Sequence, residues 1–126
     1  MLKRILAGTA VAVMFALPLQ AQGQPQAGDA KEVTITGQVV DLNCYTLMGA
    51  KGEGHKECAG KCASAGVPLG ILGDDGTLYL PLGSGMGNAQ NPKFAPYAEQ
   101  KVKVTGVHRT KNGLHTIEVK SVSAAS

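Results

Sequence analysis

Five stretches of the chain carry the patterns of hydrophobic and polar residues that are typical of β-strands. In the first stretch, Val33, Ile35 and Val39 alternate with threonine and glutamine, and Gly37 between them predicts a bulge or sharp bend. The last two stretches alternate in the same way, whereas the second and third are short apolar runs. The predicted strands are residues 33–42, 69–72, 77–82, 101–110 and 114–122.

Turn residues indicate how these strands are connected. Residues 73–76, with the sequence Gly-Asp-Asp-Gly, predict a hairpin loop between the second and third strands. Asn112-Gly113 predicts a two-residue hairpin turn between the last two strands, and such a turn places Thr110 opposite His115. The sequence therefore predicts two antiparallel hairpins.

The long connection between the first two strands contains a predicted helix at residues 55–65, which Gly66 and Pro68 end. Residues 91–100 predict a turn or short helix, interrupted by Pro96. Five short strands with a bent first strand predict a mainly β fold. We expect a small five-stranded Greek-key barrel of the oligonucleotide/oligosaccharide-binding (OB) type, with one short helix in the first long connection. A small open sandwich is the alternative.

The N-terminal residues 1–21 have the pattern of a secretory signal peptide, with two basic residues, an apolar run and a small residue at the cleavage position. Residues 22–31 lack bulky apolar side chains and predict a flexible leader. The barrel domain then spans residues 32–122 and is followed by a short polar tail at residues 123–126. We therefore expect a periplasmic or secreted protein that has no membrane association after signal cleavage.

Composition and charge narrow the function classes. Hydrophobic residues make up 44% of the 126 residues, but aromatic residues only 4%, so the core must consist mainly of Val, Ile, Leu and Ala. The formal charge of +3 falls to +1 once the two basic residues of the signal segment are removed. An exported, nearly neutral domain with few aromatic residues argues against nucleic-acid binding. No complete catalytic set is present in the sequence, so we expect a binding module rather than an enzyme.

Three cysteines and one histidine lie within nineteen positions of the chain: Cys44, His55, Cys58 and Cys62. On a helix, the last three side chains fall within roughly 60° of one another and so share one face. Cys44 is expected at the end of the first strand, from which it can complete the group. A set of three thiolates and one imidazole suits a tetrahedral soft or borderline ion such as Zn²⁺ or Cu⁺. The sequence thus predicts a metal-binding or metal-handling protein.

Two other interpretations of these cysteines stay open. In an oxidising compartment, Cys44 is expected to pair with Cys58 or Cys62 in a disulfide, which would staple the long connection to a ligand-binding or protein-binding barrel. Thiol redox activity is the one enzymatic interpretation with support, because Lys56, Lys61 and the histidine are close enough in sequence to lower a thiol pKa. The thioredoxin-type C-x-x-C motif is, however, absent.

His108 and His115 lie near the tip of the last hairpin, on the predicted core side of both strands. In OB barrels the interstrand loops flank one binding surface, so these two histidines are candidate rim ligands. Ordinary hydrogen bonding is the alternative role. The partners that we expect are therefore a metal ion or small ligand and, for the disulfide-stapled barrel, an exported protein.

Several short motifs resemble those of a known class of proteins. They are D-x-x-C-Y from Asp41, H-x-x-C-x-x-x-C from His55, G-x-P-x-G from Gly66 and V-x-V-x-G from Val102. In this combination the sequence resembles a class of small exported bacterial OB-like proteins of uncharacterised function. The resemblance extends over residues 33–122; it implies the barrel fold and the exported location, and it implies no activity.

Overall fold

The computed structural model describes residues 30–126 of the chain. The predicted signal peptide and all but the last two residues of the predicted leader lie outside the described residues. Lys31, predicted as leader, begins the first strand, and the last strand runs to Ala124, two residues into the predicted tail. Among the described residues, no helix is long and apolar enough to cross a membrane.

Five strands form the body of the protein, at the places that the sequence predicts. Their bounds are β1 Lys31–Asp41, β2 Leu69–Gly73, β3 Leu78–Leu82, β4 Lys101–Lys111 and β5 Leu114–Ala124. They close into a barrel in the order β1-β2-β3-β5-β4, with β1 paired to both β2 and β4. The β3–β5 pair is parallel and every other pair is antiparallel. The predicted mainly β, OB-like five-stranded barrel is therefore confirmed, and the open sandwich is wrong.

The bend that Gly37 predicts in β1 lies where the strand passes from one partner to the other. Gly37 is opposite Val102 of β4 and also opposite Gly73 of β2. A Cβ atom at this position would overlap the carbonyl oxygen of Leu72. Only glycine permits such a close backbone approach, so this position lets one long strand serve two sides of the barrel.

The β4–β5 hairpin has the predicted register. Thr110 is opposite His115, and the turn residues Asn112 and Gly113 have φ values of 50° and 81°. Positive φ at both central residues is what a type I′ hairpin turn requires, and Asn-Gly adopts it most readily. The register places Ile117 of β5 in the barrel interior, where it is fully buried.

The connections carry more helix than predicted. Where the sequence predicts one helix between β1 and β2, the structure has two, α1 (Leu42–Met48) and α2 (Lys56–Ser64), with a 3-10 turn at Glu53–His55 before α2. The sequence predicts that the first strand continues through Leu42. In the structure the chain becomes helical at Leu42, because Asp41 caps a helix N-terminus there. A third helix, α3 (Asn91–Phe94), continues into a 3-10 turn at Ala95–Tyr97, as the interrupted turn or short helix predicts.

The core consists of inward-facing aliphatic residues of the barrel, as the scarcity of aromatic residues predicts. Phe94 of α3 and Ala63 of α2 belong to this cluster, so both helices pack against the barrel. The fully or almost fully buried apolar side chains of the core are Val39, Leu69, Ile71, Phe94, Val102, Val104 and Ile117.

Candidate metal centre

Cys44 lies in the first turn of α1, not at the end of β1 as predicted. Its backbone N–H donates to Oδ1 of Asp41 at 2.9 Å, the bond by which Asp41 caps the helix. Gly49, in the left-handed conformation, ends α1 after two turns. Cys44 is the buried residue of this helix, with 8% of its surface exposed. The cap therefore fixes the direction of a buried thiol at the point where the barrel strand ends.

Helix α2 presents the other donors, as predicted. Ala59 and Ala63 face the barrel and are buried, whereas Cys58 is exposed and Cys62 is half-buried. Cysteines four residues apart lie on the same side of a helix, here beside the alanine stripe. His55 precedes the first turn of α2 and continues the same side. Small alanine side chains let this helix lie close to the end of the barrel.

Main-chain contacts bring α1 and α2 together. The N–H of Leu42, the first residue of α1, donates to the carbonyl of Pro68, which follows α2, at 3.1 Å. The side chain of Asn91 donates to the carbonyl oxygens of Ala63 and Val67, and accepts from the N–H of Leu69. The beginning of α1 and the end of α2 are thus held at the same end of the barrel.

The donor atoms of this region converge. Those of Cys44, His55 and Cys58 all lie within 4.8 Å of one another. Those of Asp41, Cys44 and Cys62 form a second group within the same limit. Because Cys44 belongs to both groups, the four predicted side chains and Asp41 make one cluster, which we call the Cys/His cluster. All three thiols are free in the structure, so the expected bridge from Cys44 to Cys58 or Cys62 is not formed.

A buried glutamate orients the histidine of the cluster. Oε1 of Glu99 accepts a hydrogen bond from Nδ1 of His55 at 3.0 Å, and the Glu99 side chain has no exposed surface. Its other oxygen, Oε2, accepts from the N–H of Gly52 at 2.7 Å and from Nε2 of Gln38 at 3.0 Å. With Nδ1 bound to a carboxylate, Nε2 of the ring is left free as a metal ligand, the arrangement common around histidine ligands.

Comparisons with known proteins add no functional information. Neither a protein-family model nor a curated protein nor a solved structure matches this chain. The resemblance to small exported bacterial proteins therefore stays a prediction, and the function must be argued from the geometry of the site.

Two residues of the site are absent from the predicted ligand set, although Asp41 is part of the D-x-x-C-Y motif. A signal for Asp41 was present, because aspartate is a preferred N-cap residue and the helix that it caps begins directly after it. Glu99 could not be predicted in this way, since it lies 44 residues from His55 in a segment of turns. The backbone of Glu99 has a φ of 59°, a left-handed conformation that costs a non-glycine residue about 1 kcal/mol or more. The backbone pairing of Glu99 and Gln100 with Val39 of β1 maintains it.

The environment of the two inner thiols favours their protonated form. Burial raises the pKa of Cys44, and the charge of Asp41 acts in the same direction. The carboxylate of Asp41 beside it, together with burial, raises the pKa of Cys62 to about 12. A thiol that acts as a nucleophile or in redox exchange needs the opposite shift. As free thiols, Cys44 and Cys62 are therefore held in the form that is the weaker nucleophile.

His108 and His115 do not join the Cys/His cluster. His108 is opposite Lys31, at the beginning of β1, whereas the cluster begins after Asp41 at the end of that strand. The two imidazoles bind each other, with 3.1 Å between Nε2 of His108 and Nδ1 of His115, and Tyr79 contacts both rings edge-on. The structure therefore separates these predicted rim ligands from the predicted cysteine and histidine donors.

A shallow cleft of about 400 Å³ lies beside Glu99. Its polar lining includes Gln38, Lys51, Asp74 and Lys101. Lys101 and Asp74 of this lining form an ion pair of 3.0 Å, so two of its four charged residues neutralise each other. The cleft offers no strong charge for a ligand, and the Cys/His cluster remains the site with distinctive chemistry.

Proposed function

We propose that this protein is a metal-binding module whose metal is held by the Cys/His cluster, with Cys44, His55, Cys58 and Cys62 as its thiolate and imidazole ligands. The observation that carries the proposal is the approach of the Cys44, His55 and Cys58 donor atoms to within 4.8 Å of one another. Ligands of a tetrahedral ion with bonds of about 2.0–2.3 Å are roughly 3.3–3.8 Å apart. Small side-chain rotations would close the remaining gap, because the hydrogen bond from Leu42 to Pro68 already brings the start of α1 to the end of α2.

The donor chemistry supports a soft or borderline ion, and we propose Zn²⁺ or Cu⁺. Thiolate and imidazole are the ligands that both ions prefer, whereas Ca²⁺ and Mg²⁺ prefer oxygen. The carboxylate of Glu99 on Nδ1 of His55 supports the proposal further, because a ligating histidine usually donates its other N–H to such a group. The exposed position of Cys58 gives an ion a route to the site from solvent.

We also propose that the protein is exported and not an enzyme. The export proposal rests on the signal-peptide pattern of residues 1–21. In an oxidising compartment, unligated neighbouring thiols become disulfides, and a bound ion prevents this. The raised pKa values of Cys44 and Cys62 argue against thiol redox catalysis.

Metal analysis combined with thiol counting tests the proposal. The protein is purified without chelator from the exported fraction of its native cells, and its metal content and reactive thiols are measured. Stoichiometric metal is expected, with three reactive thiols once a chelator is added. A chain with one free thiol and no metal would instead be the disulfide-stapled barrel.

Variants make the test specific to the cluster. Cys58→Ser changes an exposed side chain, and His55→Gln changes one that is 15% exposed but lies outside the hydrophobic core, so the barrel should fold while metal binding weakens. Ser64→Ala, also on α2 but exposed and outside the cluster, is the matched control and should bind metal like the parent. Unchanged metal affinity in both cluster variants would contradict the proposal.

A further inference from the structure

The carboxylate of Asp41 lies at the cluster in an unusual electrostatic position. Asp41 is completely buried, and its Oδ1 accepts the N–H of Cys44. Its other oxygen, Oδ2, is also buried and has no hydrogen-bond partner within residues 30–126. The neighbouring thiol of Cys62 is a weak donor that compensates little for lost hydration. A buried carboxylate oxygen without a partner is costly, so its position points to a cation.

The cluster has one donor more than a tetrahedral ion accepts. Its donors divide into a solvent-side triad, Cys44, His55 and Cys58, and an inner triad, Asp41, Cys44 and Cys62, each within 4.8 Å. A tetrahedral ion uses four ligands, so a single ion leaves one of the five donors unused. Both triads contain the buried Cys44 sulfur, and a thiolate sulfur has enough lone pairs to bind two ions at once.

We propose that the cluster holds two divalent ions of the Zn²⁺ type, bridged by the Cys44 thiolate. This proposal rests on the proposed function, which supplies the ion at the solvent-side triad, and adds a second ion to it. The second ion is bound by the inner triad, with Oδ2 of Asp41 as the ligand that completes it. Each ion then has three protein ligands and one position left for water or for a ligand of an exchanging molecule.

Charge balance supports two divalent ions rather than one. With the three thiols deprotonated and Asp41 ionised, the donors carry four negative charges, which two divalent ions neutralise. One divalent ion at the solvent-side triad neutralises the thiolates of Cys44 and Cys58 and leaves the buried Asp41 carboxylate without a cation. Two Cu⁺ ions would leave two of the four negative charges uncompensated. Lys56 and Lys61, the lysines of α2, are exposed and pair with glutamates of their own segment. Binding releases the three thiol protons to solvent and involves no change of oxidation state.

Titration with ¹¹³Cd²⁺, a thiol-binding substitute for Zn²⁺, tests the proposal. The reduced protein is titrated without oxygen, bound cadmium is counted after dialysis, and the ¹¹³Cd NMR spectrum is recorded. Two ions per chain and two resonances are expected. One ion per chain overturns the two-ion proposal but leaves the proposed function standing, whereas no bound ion overturns both.

Single variants assign the ligands. Asp41→Asn keeps a side chain that caps α1 equally well but removes the charged oxygen, so binding should fall from two ions to one. Cys62→Ala should have the same effect, and Cys58→Ala should remove the other resonance. Asp74→Asn, an exposed aspartate paired with Lys101, is the matched control and should still bind two ions. Two ions bound by Asp41→Asn with unchanged affinity would overturn the role of Asp41.

Discussion

Replacing Glu99 by glutamine tests whether the buried carboxylate sets the metal affinity of His55. In the parent protein, both oxygens of Glu99 accept hydrogen bonds, one from His55 and one shared by Gly52 and Gln38. Glutamine has the same shape but only one acceptor oxygen. If that oxygen keeps the two donors Gly52 and Gln38, the new NH₂ group faces Nδ1 of His55. The ring must then accept there and carry its proton on Nε2, the nitrogen needed for the metal.

The size of the effect follows from this change of tautomer. Loss of an outer carboxylate that orients a histidine ligand typically lowers metal affinity by about 10–100-fold. Free energy of unfolding should also fall, by about 1.5–3 kcal/mol, because one hydrogen bond to a charged group is lost inside the protein. The metal effect should exceed that of an ordinary surface substitution, because the Glu99 side chain has no exposed surface and water cannot replace it.

Competition with a coloured chelator measures the affinity, and ¹⁵N NMR of the imidazole identifies the tautomer. Glu118→Gln is the matched control, because Glu118 is a partly exposed β5 residue that pairs with Arg109 on the barrel. Circular dichroism before and after metal addition confirms that both variants are folded. A folded Glu99→Gln protein with affinity within twofold of the parent, and with the proton still on Nδ1 of His55, would refute the reasoning.

Three further predictions concern the barrel. Phe94→Ala should cost about 3–5 kcal/mol in urea unfolding, because Phe94 is completely buried in the core; a cost below about 1 kcal/mol would contradict that packing. Gly113→Ala should lower the free energy of unfolding by about 1 kcal/mol, since φ is 81° there, and an unchanged melting temperature would argue against the turn geometry. The hydrogen bond from the N–H of Thr77 lowers the pKa of Asp75 below its ordinary value of 3.8, so the ionised carboxylate stabilises the fold above that pH. The stability difference between the parent and Asp75→Asn should therefore shrink as pH falls below about 4, and a constant difference in thermal melts would contradict the shift.

The barrel could be predicted from the sequence because its signals are local. Alternation places strand residues on the inside or outside, and Asn112-Gly113 determines the register of the hairpin on its own. Gly37 likewise predicts the bend of β1, since no other residue fits the close approach to Leu72. What the local patterns lack is the pairing of β3 with β5, a parallel contact between strands that are distant in the chain.

The site could be predicted only in part, because some of its contacts join segments that are distant in the chain. The spacing of His55, Cys58 and Cys62 predicts their common side of α2, and the structure brings Cys44 to them. The predicted element for Cys44 is wrong, because the strand pattern ends where Asp41 caps a helix. Glu99 is beyond local patterns, since only the folded barrel brings it to His55.

Bound ions would also explain how a long connection with so little buried apolar surface holds its shape. In α1 the buried residue is Cys44, and in α2 the buried residues are Ala59 and Ala63, so burial of large side chains does not dock these helices. The hydrogen bonds of the Leu42 N–H and the Asn91 side chain align the helix ends, and the Cys/His cluster is left to hold the two helices to each other. Because an ion binds the folded arrangement and not the open one, its binding free energy stabilises this connection. In this proposal, the bound ions take the stabilising role that a disulfide among the three cysteines would have, and their ligands are the residues that order the two helices.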